Sequence, residues 1–431
     1  MSKVAIVFPY FRTHSPTEIL FPPLGAATLA GQLRQSHIET RVFDCTFGSF
    51  LQLEADLSAY QPEVVGIYSM IALSRNTFRI ADLVRKMYPH SLLVAGGPMP
   101  TLYPAHYNRQ FDVVFRGEAD LSFPRFCQDY FAQGLSPEHL TKLPLSSYDG
   151  LFIHTDILFV DNPAVHYRDT EIDTFPIPDR SDFDHPSYQQ VWYEKTGTKT
   201  TSIMLTLGCP FDCDFCSRPV FGNLYRRRNL DRVFEEIDQI RDLGYDSLWI
   251  ADYNFTLNLA YLRQFCQRMV DQQMSWSCLS RVTGINAEIA QTMKAAGCRK
   301  VYLGLETGSQ ATLDLMNKKA TVEEGIHAVH EFRQAGIEVA AFFIVGYTGE
   351  TLSAIEETFT HALTLPLDEI SFNVPYPLPG SSLFGRISGL DPNQDWNTEN
   401  EITFLYDSEF DQDWLRLRIA QTMAAFAEKK K

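Results

Sequence analysis

Residues 206–216 read TLGCPFDCDFC and place three cysteines, Cys209, Cys213 and Cys216, within eight consecutive positions after a predicted strand. Packing does not explain this crowding, because thiolates so close together repel one another unless a metal neutralises them. Zinc usually has four ligands, commonly as two separated pairs, and the next cysteine, Cys266, lies inside a predicted helix. Three cysteines on a four-iron cluster leave one iron open to a small chelating molecule. The motif therefore predicts an iron–sulfur cluster ligated by these three cysteines.

The spacing CxxxCxxC, with the aromatic residue Phe215 before the last cysteine, resembles the signature of the radical S-adenosylmethionine (SAM) superfamily. The resemblance implies that the open iron of a 4Fe-4S cluster binds the amino and carboxylate groups of SAM. One-electron reduction then cleaves SAM to methionine and a 5′-deoxyadenosyl radical. Three later segments also resemble the family: ADYNF at residues 251–255, GLETGS at 304–309, and GYTGE at 346–350, where Tyr-Thr replaces the usual Leu-Pro.

Candidate contacts of SAM lie in the cysteine motif and at the ends of predicted strands. Glycine at a strand end lets the backbone approach an adenine or a ribose closely. The Glu306 carboxylate can accept hydrogen bonds from a ribose or an ammonium group, and Arg281 is expected to pair with the carboxylate of SAM. The predicted SAM contacts are Phe215, Arg281, Gly304, Glu306 and Gly346.

Composition and charge are those of an acidic globular protein. The 431 residues are too many for one ordinary domain, and 45% of them are apolar, enough to fill sizeable cores. The formal charge of −16 disfavours a nucleic-acid binder, and the basic run at residues 226–228 is expected to be a solvated patch, with an anion-facing role left open. No run approaches the ~20 apolar residues of a membrane span, and no signal-peptide pattern is present. We therefore expect a cytoplasmic protein with no membrane span and no nucleic-acid partner, whose clustered cysteines bind metal.

The first 135 residues alternate buried strands with helical patterns. Strands that are apolar throughout and separated by helices indicate a parallel sheet covered on both faces, which binds ligands at the carboxyl ends of its strands. Paired glycines, Gly96 and Gly97, follow the fourth such strand and precede Pro98. The predicted strands are residues 4–8, 40–44, 64–68, 92–95 and 113–115.

Together with segments 22–25 (PPLG), 69–71 (SMI) and 116–120 (RGEAD), the glycine pair resembles the cobalamin-binding domain of cobalamin-dependent radical SAM enzymes. The resemblance covers roughly residues 3–375. It implies cobalamin contacts at Ser69, Gly96, Gly97, Pro98, Gly117 and Glu118. The DxHxxG motif of many cobalamin domains, whose histidine ligates cobalt, is missing, since no Asp stands two positions before His14. We therefore expect no lower histidine ligand.

Strands and helices alternate again from Thr200 onward. Six strands are predicted there, and the first of them spans residues 202–207. This pattern indicates a partial or complete barrel whose chemistry lies at the carboxyl ends of its strands. We predict an α/β protein in which a doubly wound, Rossmann-like parallel sheet precedes a partial (β/α)6 TIM-like barrel. The predicted boundaries are 1–140 for the cobalamin-binding domain, 141–195 for a linker, 196–385 for the radical SAM domain and 386–431 for a C-terminal helical extension.

The resemblance implies a methyltransferase that acts on a carbon without an acidic proton. Cobalamin takes a methyl group from one SAM, and a second SAM yields the 5′-deoxyadenosyl radical, which abstracts hydrogen from the substrate. The substrate radical then takes the methyl group from methylcobalamin. The cofactors carry this chemistry, while the fold supplies binding and orientation. The expected partners are a small-molecule or peptide substrate and an electron donor such as flavodoxin or ferredoxin.

Three alternatives share part of these features. A cobalamin-containing radical SAM enzyme that does not methylate, such as an oxidative cyclase of the anaerobic porphyrin type, has the same domain signatures, and the product mass separates the two. The tRNA methylthiotransferases share the cluster motif, but they carry extra cluster cysteines in the first domain, where this chain has only Cys45 and Cys127. A cobalamin-binding sensor needs no radical initiator, so the intact CxxxCxxC motif disfavours it.

Overall fold

A computed structural model describes residues 2–15, 18–216, 220–387 and 404–430 of the chain. The chain forms two compact units. The first comprises the residues up to Thr201 together with Asp231–Tyr245, and the second comprises Ser202–Leu230 and the described residues from Asp246 on. Among the described residues, no helix is long and apolar enough to cross a membrane.

The first unit is built on one seven-stranded sheet. Its strands are β1 (Lys3–Phe8), β2 (Glu39–Asp44), β3 (Val64–Tyr68), β4 (Leu92–Gly96), β5 (Val113–Phe115), β6 (Leu151–His154) and β7 (Phe159–Asp161). The helices are α1 (Leu24–Gln35), α2 (Phe50–Tyr60), α3 (Ser74–Met87), α4 (Pro98–Leu102), α5 (Pro104–Tyr107), α6 (Ser122–Ala132), α7 (Asp169–Ile172), α8 (His185–Thr196) and α9 (Leu230–Asp242).

The strand order is β2-β1-β3-β4-β5-β6-β7, and all pairs among the first five strands are parallel. Residues Val4–Val7 of β1 are buried at every position, as expected for a strand covered on both faces. The chain order reverses between β1 and β3, and such a reversal opens a crevice at the carboxyl ends of the strands. The first unit therefore has the doubly wound sheet that the apolar runs predicted.

The segment predicted as a linker, residues 141–195, contributes to this sheet. β6 pairs antiparallel with β5, and β7 pairs antiparallel with β6. The β6 residues Leu151–Ile153 are buried because they extend the core beyond β5. The proline-rich composition predicts a linker with some short strands, and the two short strands found here extend the first sheet to a new edge.

The second unit contains a six-stranded sheet and a separate two-stranded ribbon. Its strands are β8 (Thr200–Ile203), β9 (Thr206–Leu207), β10 (Arg226–Arg227), β11 (Ser247–Ile250), β12 (Ser275–Ser280), β13 (Cys298–Glu306), β14 (Glu338–Ile344) and β15 (Glu369–Asn373). The helices are α10 (Leu259–Met269), α11 (Ala287–Ala295), α12 (Gln310–Leu315), α13 (Val322–Gln334), α14 (Leu352–Thr364), α15 (Ser382–Arg386) and α16 (Gln412–Lys429).

The large sheet has the order β15-β14-β13-β12-β11-β8, and the pairs from β11 to β15 are parallel. Helices lie between consecutive strands, as the predicted partial barrel requires. Four of these helices begin at a short polar residue whose side chain accepts a hydrogen bond from a backbone N–H of the first turn. These capping residues are Asn258, Asn286, Thr321 and Thr351.

One predicted strand, residues 202–207, is divided in the structure. β8 ends at Ile203, and β9 pairs antiparallel with β10 in the ribbon. This pairing buries Arg226, whose guanidinium donates to the carbonyl oxygens of Leu224 (3.3 Å) and Phe221 (3.0 Å). The interpretation of the basic run as a solvated patch is therefore wrong for Arg226, which stabilises the loop that carries the cysteines.

Candidate active site

The cysteine loop begins directly after β9. Gly208 has φ of +74°, and a Cβ at this position would collide with the carbonyl oxygen of Leu224, so the turn into Cys209 requires glycine. Backbone hydrogen bonds then fix the loop, from Cys209 N to Gly222 O (3.3 Å) and from Cys216 N to Cys213 O (3.2 Å). The loop is thus held by backbone contacts, which leaves the thiols available.

The three motif cysteines differ from the other five in exposure. Cys209, Cys213 and Cys216 are half-buried, whereas Cys45, Cys127, Cys266, Cys278 and Cys298 are buried. Burial raises the pKa of Cys209, while the positive charges of Arg281 and Lys318 act in the opposite direction. Accessible thiols beside fixed cations are the environment in which thiolates form and bind metals.

The donor set fits a multi-iron cluster better than a single ion. Within the described ranges, no three His, Cys, Asp or Glu side chains lie close enough to share one metal ion. A four-iron cluster makes a different demand, because each cysteine binds its own iron atom. Half-exposed thiols on one short loop, next to positive charge, meet that demand.

Arg281 lies immediately after β12 and packs against the cysteine loop. Its backbone N–H donates to Asn254 Oδ1 (3.1 Å), which anchors it to the ADYNF segment. The guanidinium carbon lies 3.8 Å from the ring centroid of Phe211, and Nη1 donates to Cys213 Sγ (3.3 Å). Nη2 donates to Lys318 O. Arg281 is predicted to pair with the carboxylate of SAM, and the structure places its charge at the thiols.

Glu306 ends β13 with φ of +65° and forms a buried ion pair with Lys318. Gly304 leaves room for this pair, because a Cβ there would collide with Glu306 Oε1 and would lie 2.9 Å from Lys318 Nζ. Lys318 Nζ also lies 5.9 Å from the ring centroid of Phe215. Three predicted contacts, Phe215, Gly304 and Glu306, are therefore brought together around an ammonium group.

Sequence reasoning missed Lys318. The residue lies in the irregular stretch between α12 and α13, in a Lys-Lys pair whose second member, Lys319, is exposed. Nothing in the local sequence distinguishes a buried lysine from its solvated neighbour. The one available signal was Glu306 itself, because a carboxylate buried at a strand end needs a cation or several donors.

Gly346 follows β14 with φ of +77°, and its surroundings differ from the prediction. A Cβ there would lie 2.8 Å from Phe404 Cζ and 3.1 Å from Leu415 Cδ2, so the C-terminal extension itself requires a glycine. Glu350 accepts hydrogen bonds from Gly346 N (2.9 Å) and Tyr347 N (3.0 Å). Burial raises the pKa of Glu350 to about 7. This carboxyl group shapes the GYTGE turn.

Asp252 plays a similar part before the cysteine loop. It is fully buried and accepts hydrogen bonds from Leu205 N (2.8 Å) and Thr206 Oγ1 (2.6 Å). Burial raises the pKa of Asp252 to about 6. The ADYNF segment thus holds the start of β9 through Asp252 and the backbone of Arg281 through Asn254.

In the first unit, Gly96 and Gly97 lie at the carboxyl end of β4. A Cβ on Gly96 would meet no heavy atom within 4 Å. Gly97 has φ of +104°, and a Cβ there would lie 2.7 Å from Ser69 O and 3.0 Å from the Tyr68 ring. The Ser69 hydroxyl is fully buried and lies 2.7 Å from Tyr107 Oη. Gly96 therefore faces open space, whereas Gly97 and Ser69 shape the loop from within.

The remaining predicted cobalamin contacts lie after β4 and β5. Pro98 occupies the first turn of α4, and Gly117 has φ of +69° and donates from N to Thr101 Oγ1 (2.9 Å). The buried Glu118 carboxylate accepts a hydrogen bond from Tyr167 N (3.1 Å) and lies 3.5 Å from His166 Nδ1. The Glu118 side chain thus binds the chain that follows β7. His14, for which no ligand role was expected, is exposed.

Comparison with known proteins finds two family models that match this chain. The B12 binding domain family model matches residues 17–126, and the radical SAM superfamily model matches residues 203–362. An uncharacterized methyltransferase of Pyrococcus horikoshii is 28% identical over 377 residues, covering 84% of this chain and 78% of that protein. An anaerobic magnesium-protoporphyrin IX monomethyl ester cyclase of Cereibacter sphaeroides is 28% identical over 400 residues, covering 89% of this chain and 63% of the cyclase.

A solved structure shares the fold. The radical SAM methyltransferase TsrM from Kitasatospora setae, with cobalamin and a 4Fe-4S cluster bound, matches with a TM-score of 0.75 and 18% identity, over 90% of this chain and 75% of TsrM. The chain therefore belongs to the radical SAM superfamily and carries a B12-binding domain. It is a cobalamin-dependent radical SAM enzyme, and its cofactors are a 4Fe-4S cluster, SAM and cobalamin. The predicted fold class is confirmed.

Proposed function

We propose that the enzyme is a C-methyltransferase that transfers a methyl group to a carbon without an acidic proton. The observation that carries the proposal is the half-exposed loop of Cys209, Cys213 and Cys216, backed by Arg281, in a chain that also has a B12-binding domain. When bound, the cluster and cobalamin supply reductive cleavage of SAM and methyl transfer. Two relatives support this chemistry by their names, a cytidylyl-2-hydroxyethylphosphonate methyltransferase and a hopanoid C-3 methylase.

The side chains of the second unit divide the binding work. The three cysteines hold the cluster, and Arg281 donates a hydrogen bond to Cys213 Sγ. The Glu306–Lys318 pair offers an anion and a cation side by side, so it can bind the charged and hydroxyl groups of SAM. Phe215 and Gly304 line the same place. Gly346 contributes to SAM binding through its backbone, in the turn that the Glu350 carboxylate stabilises.

The carboxyl edge of the first sheet holds cobalamin. Gly96 offers open space for a large planar ligand, and Gly97, Pro98 and Gly117 fix the adjoining turns. Ser69 and Glu118 stabilise the site indirectly, because their side chains form hydrogen bonds inside the protein. Ser69 bonds to Tyr107, and Glu118 bonds to the chain after β7. No histidine of this unit is assigned to cobalt, His14 included.

A second candidate function is an oxidative cyclization without methyl transfer. The supporting observation is the cyclase of Cereibacter sphaeroides, which is as similar in identity as the Pyrococcus methyltransferase. Both chemistries use the same reductive cleavage of SAM, so the cysteine loop serves either. The substrate pocket and the coproducts distinguish them.

Coproduct analysis tests the choice. Methyl transfer from SAM leaves S-adenosylhomocysteine, and reductive cleavage leaves 5′-deoxyadenosine, so a methyltransferase accumulates both together with a product heavier by one CH2. Deuterium at the reacting carbon is expected in 5′-deoxyadenosine. The experiment is anaerobic reconstitution with SAM and candidate extracts, followed by mass spectrometry, with a Cys213→Ala control that forms no 5′-deoxyadenosine. An altered product and 5′-deoxyadenosine without S-adenosylhomocysteine would favour the cyclase.

The proposed partners follow from the chemistry. The substrate is a small molecule or a peptide, and a low-potential protein such as flavodoxin or ferredoxin supplies the electron. The net charge of −16 repels phosphate backbones, so no nucleic-acid partner is proposed. A cytoplasmic location suits an oxygen-sensitive cluster and eight free cysteines.

A further inference from the structure

Asp214 lies between two proposed cluster ligands and is held by contacts that the proposed function does not use. Its Oδ2 accepts a hydrogen bond from Tyr347 Oη (2.6 Å) and forms an ion pair with Arg386 of α15. Its backbone N–H donates to Met316 O (3.0 Å), and its carbonyl oxygen accepts from Leu383 N (3.0 Å). Three other segments of the second unit therefore contact Asp214, two of them at its carboxylate and the rest at its backbone.

The surroundings of this carboxylate are apolar. The Asp214 side chain is 9% exposed, and Met316, Tyr347 and Leu383 are fully buried in one cluster against which Phe215 packs. Charges interact more strongly in such a medium than in water. Burial raises the pKa of Tyr347, so its hydroxyl stays protonated and donates.

The two partners of Asp214 compensate its negative charge in different ways. Arg386 supplies a full positive charge, while the Tyr347 hydroxyl supplies a hydrogen bond without net charge. Tyr347 also stands where the usual GLPGE segment has leucine, which cannot donate. In this chain, the Tyr347 hydroxyl therefore pairs with the Asp214 carboxylate.

We propose that Arg386 and Tyr347 set the reduction potential of the iron–sulfur cluster by compensating the charge of Asp214. The inference rests on the proposed ligands Cys213 and Cys216, which lie one and two positions from Asp214. A carboxylate charge beside the cluster disfavours the added electron, so each loss of compensation lowers the potential. Net charge and hydrogen bonding are known means of tuning such clusters. Both residues act through Asp214 and are positioning residues.

An anaerobic redox titration followed by electron paramagnetic resonance tests this on the reconstituted full chain, with neither SAM nor substrate. In Arg386→Gln, the ratio of reduced to oxidised cluster at a fixed potential should fall about tenfold, which is 59 mV for a one-electron couple. Arg386→Lys keeps the charge and should keep the potential. Asp214→Asn should shift the potential upward, and the double variant with Arg386→Gln should return towards the wild type.

Arg418→Gln is the matched control, because Arg418 forms a comparable partly exposed pair with Glu356 in the same unit. An unchanged potential in Arg386→Gln, or an equal shift in Arg418→Gln, overturns the proposal. If Arg386→Gln does not bind iron, Tyr347→Phe decides, because it keeps the buried ring. In Tyr347→Phe, the ratio of reduced to oxidised cluster at a fixed potential should fall about threefold. An unchanged ratio in this variant would overturn the proposal. A wild-type chain without a four-iron cluster would contradict the proposed function itself.

Discussion

The carboxyl edges of the two sheets present different kinds of chemistry. In the second unit, charged side chains converge on the cysteine loop, with Arg281 at Cys213 and Lys318 paired with Glu306. In the first unit, the polar side chains of Ser69 and Glu118 turn into the protein, and the edge offers glycine backbone and open space. With the proposed sites, we infer from this difference two modes of recognition: side-chain chemistry for the small charged ligand and shape for the large planar one.

The largest expected effect is on the side-chain edge. Replacing Cys209, Cys213 or Cys216 with Ala removes a ligand and should abolish both the four-iron cluster and 5′-deoxyadenosine formation. Cys266→Ala is the matched control, because this buried thiol lies in α10 and should keep full iron content. Iron analysis and product chromatography measure the two outcomes. Reductive SAM cleavage at the native rate in any motif variant would refute the cluster assignment.

Substitutions in the glycine pair give the next largest effect. They distinguish a loss of room for cobalamin, at Gly96, from a loss of fold stability, at Gly97. Gly96→Val should reduce cobalamin uptake more than about tenfold at unchanged stability, because its Cβ meets only open space. Gly97→Ala should destabilise the first unit by about 1–3 kcal/mol, because φ of +104° is unfavourable with a Cβ. Cobalamin absorbance and thermal unfolding of both variants measure this, with iron content expected to remain constant. Normal cobalamin uptake by Gly96→Val would contradict the placement of the cofactor.

A smaller effect concerns pH and the buried acids of the second unit. The pKa of Glu350, about 7, is above the unfolded value of 4.5, so the stability it contributes is present below pH 4.5 and is lost as pH rises to about 7. Thermal midpoints should therefore fall over this range. Glu350→Gln should reduce the fall, and the part that remains is due to Asp252, whose pKa burial also raises.

Glu356 serves as a comparison, because its pKa is shifted in the opposite direction from that of Glu350. The hydrogen bond from Arg418 lowers the pKa of Glu356, so its contribution is lost only as pH falls below 4.5. Glu356→Gln should therefore leave the fall between pH 4.5 and 7 intact. If both variants flattened the curve equally, burial of Glu350 would not be its cause.

The smallest effect tests the inward-turned side chains of the first unit. Ser69→Ala and Tyr107→Phe each remove one end of the buried hydrogen bond and should lower stability by about 1 kcal/mol. Cobalamin affinity should change by the same small factor in both, because neither hydroxyl faces the ligand. A much larger loss of cobalamin in Ser69→Ala alone would indicate direct contact.

The strands and the cysteine loop could be predicted because their signals are local. Apolar runs such as residues 64–68 and 92–95 coincide with β3 and β4, and the cysteine spacing needs no tertiary information. Side-chain direction could not be read in this way. Arg281 and Lys318 depend on partners distant in sequence, and the glycine requirement at Gly346 arises from Phe404, which lies 58 positions later.

The boundary of the first unit shows the same limit. Composition marked residues 141–195 as a linker with some short strands, yet β6 and β7 belong to the first sheet and complete its edge. Strands of three or four residues carry too little periodicity to be assigned to a sheet from the sequence. Their place was decided by the edge of β5, which offers unpaired backbone groups until β6 binds it.

The inclusion of Asp231–Tyr245 in the first unit has a consequence for synthesis on the ribosome. The buried ion pair between Arg180 and Glu236 (2.6 Å) cannot form until residue 236 has emerged, although the sheet itself is complete by Asp161. The roughly 45 residues from Thr201 to Tyr245 take on the order of 2–9 s to translate. The cysteine loop of residues 209–216 emerges within that interval, before the first unit is complete. Nascent chains stalled before and after residue 245 should therefore differ sharply in protease resistance of the N-terminal half.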